Sequence, residues 1–265
     1  MKTTQILGYN FIYGYTYQEI SDLIITDIQQ NNIVTNVFTP NAHGIVSYSD
    51  LPDTNKFCQQ SKYILPDGQP IVWLSRFASN RIKHRLTGSD LFPVLFSKLN
   101  NTEHQLLFIL SDHFLSDRFK AISNNSMCYV PPFIDLFDQK GMINEASAIF
   151  ELIKNNAIKA VFLGISEPKQ GVLAKLVTEI MEREKYTKGC IFLFLGASYE
   201  FYFGIKKRAP RWMQKSGLEW LYRLLKEPKR LLKRYTITNT RFIIKAIKWI
   251  FLQKSGSLKS KNKHV

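Results

Sequence analysis

Ala160-Val161-Phe162-Leu163-Gly164-Ile165-Ser166-Glu167-Pro168-Lys169-Gln170 is the stretch that decides the fold. Its first four residues are apolar, too few for a helix and rich enough for a buried strand. A polar loop follows, and then a helical pattern over 171–185. The same grammar recurs in both directions. Ile33 to Phe38, Leu106–Leu110 and Ile191–Leu195 are further short apolar runs, and helices fit near 88–99, 113–122 and 142–155. Thr16-Tyr17-Gln18-Glu19 is a capping box opening an apolar stripe at Ile20, Leu23, Ile24 and Ile28. This alternation predicts an α/β fold with a largely parallel sheet flanked by helices.

The chain has 265 residues and is 45% apolar. That excludes a wholly disordered chain and a polytopic membrane protein. Three cysteines lie far apart with no CxxC pair, so neither a disulfide framework nor a cysteine zinc site is expected. No basic region followed by an apolar core opens the chain, so no signal peptide is expected.

The net charge of +15 is unevenly placed. Residues 1–204 carry 18 Lys+Arg against 19 Asp+Glu, whereas residues 205–265 carry 18 Lys+Arg against only Glu219 and Glu227. We therefore divide the chain into an α/β body (1–204), a basic helical appendage (205–253) and a low-complexity end (254–265) expected to be disordered. In the appendage, Leu218, Leu221, Tyr222, Leu225 and Leu232 share one helical side. Arg223, Arg230 and Arg234 share the other, flanked by Lys226 and Lys233. Pro228 is placed to start a new helix. Downstream, Arg241, Lys245 and Lys248 oppose Ile243, Ile244, Ile247, Ile250 and Phe251, with Trp249 at the border. A basic face, an apolar face and a border Trp suit a helix lying on an anionic membrane surface. The plainer reading is a helix packed on the body. Nucleic acid is not expected as a partner, because the body lacks an RNP-like motif, a zinc finger or a recognition helix.

In an open parallel sheet, ligands bind at the carboxyl ends of strands. Thr39-Pro40-Asn41 follows one strand, and Pro66-Asp67-Gly68 follows a weaker one at Lys62–Leu65. Thr39, Asn41 and Asp67 would then meet in one crevice, where Asp67 could take a proton. Each segment has a simpler reading, as a turn or a helix cap. Arg76, Arg81, Lys83 and Arg85 precede the helix start Thr87-Gly88-Ser89-Asp90, a natural anion site. Gln170 ends the third strand-end loop and Glu200 lies in a fourth, Gly196-Ala197-Ser198-Tyr199-Glu200. There is no Asp-x-Asp pair, Walker A loop, GxGxxG or GxSxG, and no histidine pair at metal-ligand spacing. No metal or other cofactor is expected.

Arg208-Ala209-Pro210-Arg211-Trp212-Met213-Gln214-Lys215-Ser216-Gly217-Leu218-Glu219-Trp220-Leu221-Tyr222-Arg223-Leu224-Leu225-Lys226-Glu227-Pro228 resembles the C-terminal signature of the WecG/TagA/CpsF glycosyltransferase family. Thr39-Pro40-Asn41, Pro66-Asp67-Gly68, Arg85 to Leu91, Pro168-Lys169-Gln170 and Lys207-Arg208-Ala209-Pro210 follow in the family's order, over roughly residues 30–235. The resemblance implies a Rossmann-like fold. It also implies an inverting transfer of N-acetylmannosamine or a related hexose from a UDP-sugar donor to an undecaprenyl-diphosphate-linked sugar acceptor, without a required metal. The expected place is the cytoplasmic face of the cell membrane, held peripherally. Carried over by position, Asp67 is the base, with Thr39 beside it as a second catalytic residue and Asn41 in the pocket. Arg85, Gln170 and Glu200 bind substrate. Arg223, Arg230 and Lys233 resemble the tail cations that fold over the site.

Three positions depart from the family's pattern. Ser111-Asp112 stands for a Gly-Gly-type turn, Gly171 for the glutamate after Pro-Lys-Gln, and Glu200 for an aspartate. They leave room for a second reading, a non-catalytic protein that binds a lipid-linked sugar or scaffolds a polysaccharide assembly complex. A homo-oligomer is compatible with the sequence, but nothing in it requires one.

Overall fold

The computed structural model describes residues 1–30, 34–100, 102–132 and 135–261, with only the backbone of residues 215, 230, 233, 234 and 256–261. The elements run β1 (Thr3–Ile6), β2 (Tyr9–Ile12), α1 (Tyr17–Gln30), β3 (Thr35–Phe38), α2 (Ala42–Ser49), α3 (Pro52–Gln59), β4 (Tyr63–Ile64), α4 (Gln69–Leu74), α5 (Gly88–Leu99), β5 (Leu106–Ile109) and α6 (His113–Ile122). They continue β6 (Ser126–Tyr129), α7 (Gln139–Asn155), β7 (Ala160–Leu163), α8 (Lys169–Arg183), β8 (Ile191–Phe194), α9 (Ser198–Tyr202), α10 (Arg211–Ser216), α11 (Glu219–Lys226) and α12 (Pro228–Lys261).

Six strands form one parallel sheet in the order β4-β3-β8-β7-β5-β6. All four residues of β5, β7 and β8 are buried, which is why they read as unbroken apolar runs rather than alternating ones. Neighbours in each strand still part to opposite faces. Leu107, Ile109, Val161, Leu163, Phe192 and Phe194 pack with α2, α3, α7 and α8. Leu106, Phe108, Ala160, Phe162, Ile191 and Leu193 pack with α1, α5 and α6. The sheet is thus sandwiched between two helical layers, the expected α/β architecture.

The chain leaves β3 into α2 on the first face and leaves β8 into α9, whose Tyr199 packs on the second. β3 and β8 are neighbours, in register from Thr35↔Ile191 to Phe38↔Phe194. Their connections diverge, so a crevice opens above their carboxyl ends.

Besides the short helices α3 and α4, two β elements were not expected from the sequence. β1 and β2 form an antiparallel hairpin whose turn residues Leu7 and Gly8 sit at φ 53° and 86°. A two-residue primed turn needs positive φ at both central positions. β6 is an edge strand of partly buried, mixed residues and has no apolar run to betray it.

The appendage docks on the body. Gly217 ends α10 at φ 79°, and Pro228 opens α12 as expected. Phe242, Ala246 and Trp249 of α12 join the core on the α2 face. Trp249 was expected at a bilayer border; instead it is 9% exposed and packs against the protein. Arg241, expected on a basic face with Lys245 and Lys248, makes a two-pronged ion pair with Asp50, with Nη1 2.8 Å from Oδ2. The backbone of α12 continues to Lys261; the rest of the end expected to be disordered, residues 262–265, lies outside the described residues. Ile244 and Phe251 lie on its outer side, 61% and 66% exposed.

Phe92 of α5 is the hub of the second face. Its ring contacts Phe96, Phe108, Phe119, Phe162, Tyr199 and Tyr202, mostly edge to face. Replacing a fully buried aromatic by Ala removes its transfer energy and leaves a cavity. Phe92→Ala should lower the unfolding free energy by about 3–5 kcal/mol, read as a shift in the urea midpoint at unchanged slope.

Candidate active site

A cavity of about 310 Å³ opens above the carboxyl ends of β3, β4, β7 and β8, and residues from α11 close its far side. Thr39, Asn41, Asp67 and Gln170 line its floor at the strand ends, and with Glu200 and Arg223 six of the expected site residues do meet there. The turns carrying Thr39 and Asp67 are tied together by main-chain bonds. Leu65 N–H donates to Phe38 O at 2.8 Å, Asp67 N–H to Pro40 O at 3.3 Å and Leu86 N–H to Pro66 O at 3.0 Å.

The floor residues are held differently. Thr39 is buried, and its hydroxyl donates to Phe194 O at 2.8 Å, pinning the ends of β3 and β8 together. Asn41 caps α2, accepting from His43 and Gly44 N–H at 2.9 and 3.1 Å through Oδ1. Gln170 is 2% exposed, and its Oε1 has no hydrogen-bond partner. A buried acceptor left unpaired beside a cavity is costly unless a ligand donates to it.

Asp67 is the carboxylate among them. Its Oδ2 accepts only a long bond from Gly88 N–H, 3.4 Å, at the first residue of α5. The anion position at that helix start is therefore held by the protein's own carboxylate. Burial pushes the Asp67 carboxyl up to about 6. The Arg85 guanidinium pulls against this, Glu219 adds to it, and Arg223 and the Gly88 N–H pull it back.

Arg85 does not line the cavity. Its Nη1 meets Glu219 Oε2 at 3.2 Å, and its Nη2 donates to Gln214 O at 3.0 Å. Glu219, 8% exposed, also faces Arg208 Nε at 3.6 Å and Arg223 Nη2 at 3.5 Å. Arg208 in turn pairs with Asp90 of α5. Arg223 does reach the cavity, with its guanidinium over the Phe201 ring at 4.9 Å. Glu200 lines the cavity and pairs with Lys206 at 2.7 Å. The side chains of Arg230 and Lys233 lie outside the described residues.

Several residues of the site carried no assigned role in the sequence reading. Lys206, Lys207 and Lys226 add cations to the cavity wall, and Glu167 and His43 line it too. Glu219 was visible only as part of a signature; its four-residue spacing to Arg223 was the one local cue. The departures also find places. Asp112 caps α6 by accepting from Leu115 N–H at 2.9 Å. A Cβ at Gly171 would sit 2.4 Å from Tyr48 Cε1, so the Tyr48 ring fills the space a side chain there would need. Among the described residues no three His, Cys, Asp or Glu side chains gather as a metal site.

The raised Asp67 value has a sign that stability can report. The folded carboxyl titrates near 6, the unfolded one near ~3.9. The folded state holds the proton more tightly, so stability falls as pH rises from about 4 to about 6 and stays lower above that. Asp67→Asn should be more stable than wild type at pH 8, by on the order of 1–3 kcal/mol, and should lose that advantage below about pH 4. Thermal melts of both proteins across this range check it.

The sequence profile of the glycosyl transferase WecG/TagA/CpsF family matches residues 4–256. The chain is 26% identical over 200 residues to an N-acetylglucosaminyldiphosphoundecaprenol N-acetyl-beta-D-mannosaminyltransferase of Bacillus subtilis strain 168, covering 73% of this chain and 75% of that protein. It is 27% identical over 237 residues to a protein of the same name from Staphylococcus aureus strain MW2, covering 85% of each. A parallel sheet with a poised carboxylate in its crevice, a basic appendage closing it, and a profile match over nearly the whole length lead to one conclusion: the chain belongs to the WecG/TagA/CpsF family of glycosyl transferases.

Proposed function

We propose that this glycosyltransferase moves N-acetylmannosamine or a related hexose from a UDP donor to the sugar of an undecaprenyl-diphosphate-linked acceptor, with Asp67 as the general base. The observation that carries the reading is the placing of Asp67. It lines a cavity whose lining also includes Lys206, Lys207, Arg223 and Lys226.

That polarity suits an inverting displacement. The acceptor hydroxyl oxygen attacks the anomeric carbon while Asp67 takes its proton. The bond from that carbon to the diphosphate oxygen breaks on the opposite side, and UDP leaves with the electron pair. The cations offset the charge that develops on the leaving diphosphate. Arg230 and Lys233 belong to the same proposed set by their place in the appendage. Thr39 acts by fixing the β3 end beside Asp67. Asn41 and Gln170 face the sugar, where Gln170 Oε1 accepts from an amide or hydroxyl, and Glu200 sets the position of Lys206.

The acceptor's lipid would hold it at a membrane. No helix among the described residues is long and apolar enough to cross one. The exposed outer side of α12, with Ile244, Ile247 and Phe251, supports a peripheral contact with an anionic membrane surface. The body, 1–204, then carries the base, and the appendage, 205–253, carries the cations and the contact.

Purified full-length protein, incubated with a panel of UDP-sugars and a short lipid-diphosphate-N-acetylglucosamine acceptor, should release UDP only when acceptor is present, and EDTA should not stop it. No release with any donor while the acceptor still binds would favour a non-catalytic lipid-sugar binder. Asp67→Asn should lower turnover by about 10²–10⁴-fold while UDP binding persists; turnover within a few fold of wild type would remove Asp67 as the base. Ile244→Asp with Phe251→Asp should abolish flotation with anionic vesicles while leaving the melting temperature near wild type. Flotation that survives would place the contact elsewhere.

A further inference from the structure

The charges of Arg85 and Arg223 both act on the Asp67 carboxyl, yet neither arginine hydrogen-bonds to it. Arg85 directs its two terminal nitrogens to Glu219 Oε2 and Gln214 O. Arg223 is held between Glu219 Oε1 and the Phe201 ring. Glu219 is the group common to both, and it is buried. A guanidinium released from such a partner is free to pair with Asp67, whose charge it already attracts, and an Arg–carboxylate pair is strong and two-pronged. Paired in that way, Asp67 would be a poor proton acceptor.

We propose that Glu219 is a positioning residue that holds Arg85 and Arg223 off Asp67, so that docking of the appendage leaves the base free to work. The proposal rests on the glycosyltransfer reading of the site. The charged and titratable groups facing Asp67 are Arg85, Glu219, Arg223 and the Tyr17 hydroxyl. Those facing Glu219 are Arg85, Arg208 and Arg223, and Arg208 is also anchored by Asp90. Removing the charge of Glu219 both deletes a neighbouring negative charge and frees two cations, and both effects favour ionised Asp67. The acidic limb of activity must therefore move to lower pH even as the reaction slows.

The test is a pH profile of kcat/KM for acceptor-dependent UDP release by full-length protein. For Glu219→Gln the acidic limb should fall by about one to two pH units from its wild-type place near pH 6, with kcat reduced about tenfold or more. Arg85→Gln alone should move the limb upward. The double variant Glu219→Gln with Arg85→Gln should return it part of the way toward wild type, because one of the two freed cations is gone. Glu219→Asp keeps the charge and should keep the limb within a few tenths of a unit. A Glu219→Gln protein that melts earlier but keeps the wild-type limb would reduce Glu219 to a structural role and overturn the proposal. So would Glu219→Asp shifting the limb as far as Gln does. Should the Gln variant fail to fold, the Glu219→Asp and Arg85→Gln proteins decide the matter by the same limb. The carboxyl carbon of Asp67, assigned through Asp67→Asn and titrated by NMR without substrate, must show the same shifts. Should wild-type protein release no UDP from any donor, the glycosyltransfer reading fails, and the NMR titration still decides whether Glu219 sets the state of Asp67.

Discussion

Beside the cavity, the buried carboxylate of Glu219 in the appendage pairs with Arg85 of the body, 134 residues away along the chain. It reaches Arg85 before α5, Arg208 after α9 and Arg223 within α11. Three guanidiniums this close would repel one another without it. A buried ion cluster of this kind is weak testimony to stability, because desolvation offsets much of the attraction. In this docking of the appendage one carboxylate serves all three arginines together.

Asp67 shows the opposite economy. Its carboxyl has no close hydrogen bond and sits where burial disfavours its charge. A group held this way destabilises the fold at neutral pH and is a better proton acceptor for it. Paired with Arg85, the Asp67 carboxyl would make a sturdier protein and take up a proton less readily. The parallel sheet makes the arrangement affordable. Its fully apolar central strands and the Phe92 ring cluster supply the buried core beneath the crevice.

The last helix divides its work between two faces. Phe242, Ala246 and Trp249 lock it to the α2 side of the core, and Arg241 clamps Asp50 at the end of α2. Ile244, Ile247 and Phe251 point away from the protein. A helix anchored this firmly would present its outer apolar side at a fixed angle to the crevice, so a lipid-linked acceptor in the same surface would approach Asp67 from one direction.

The sequence by itself determined the layered α/β architecture, because β5, β7 and β8 are buried on both sides and can only be written as apolar runs. It also located Asp67, Thr39, Asn41 and Gln170 at strand ends, since a parallel sheet places such turns along one edge. The hairpin and β6 escaped because their residues are half-polar, as edge elements must be. Trp249 was misplaced because periodicity identifies a helix's two faces without saying which one the body covers. That Arg85 turns to Glu219 and leaves the cavity, and that Lys206 and Lys226 complete its wall, was decided by tertiary structure alone. Charge pairing across more than a hundred residues leaves no periodic trace in a sequence, because it depends on which surfaces meet and not on spacing along the chain.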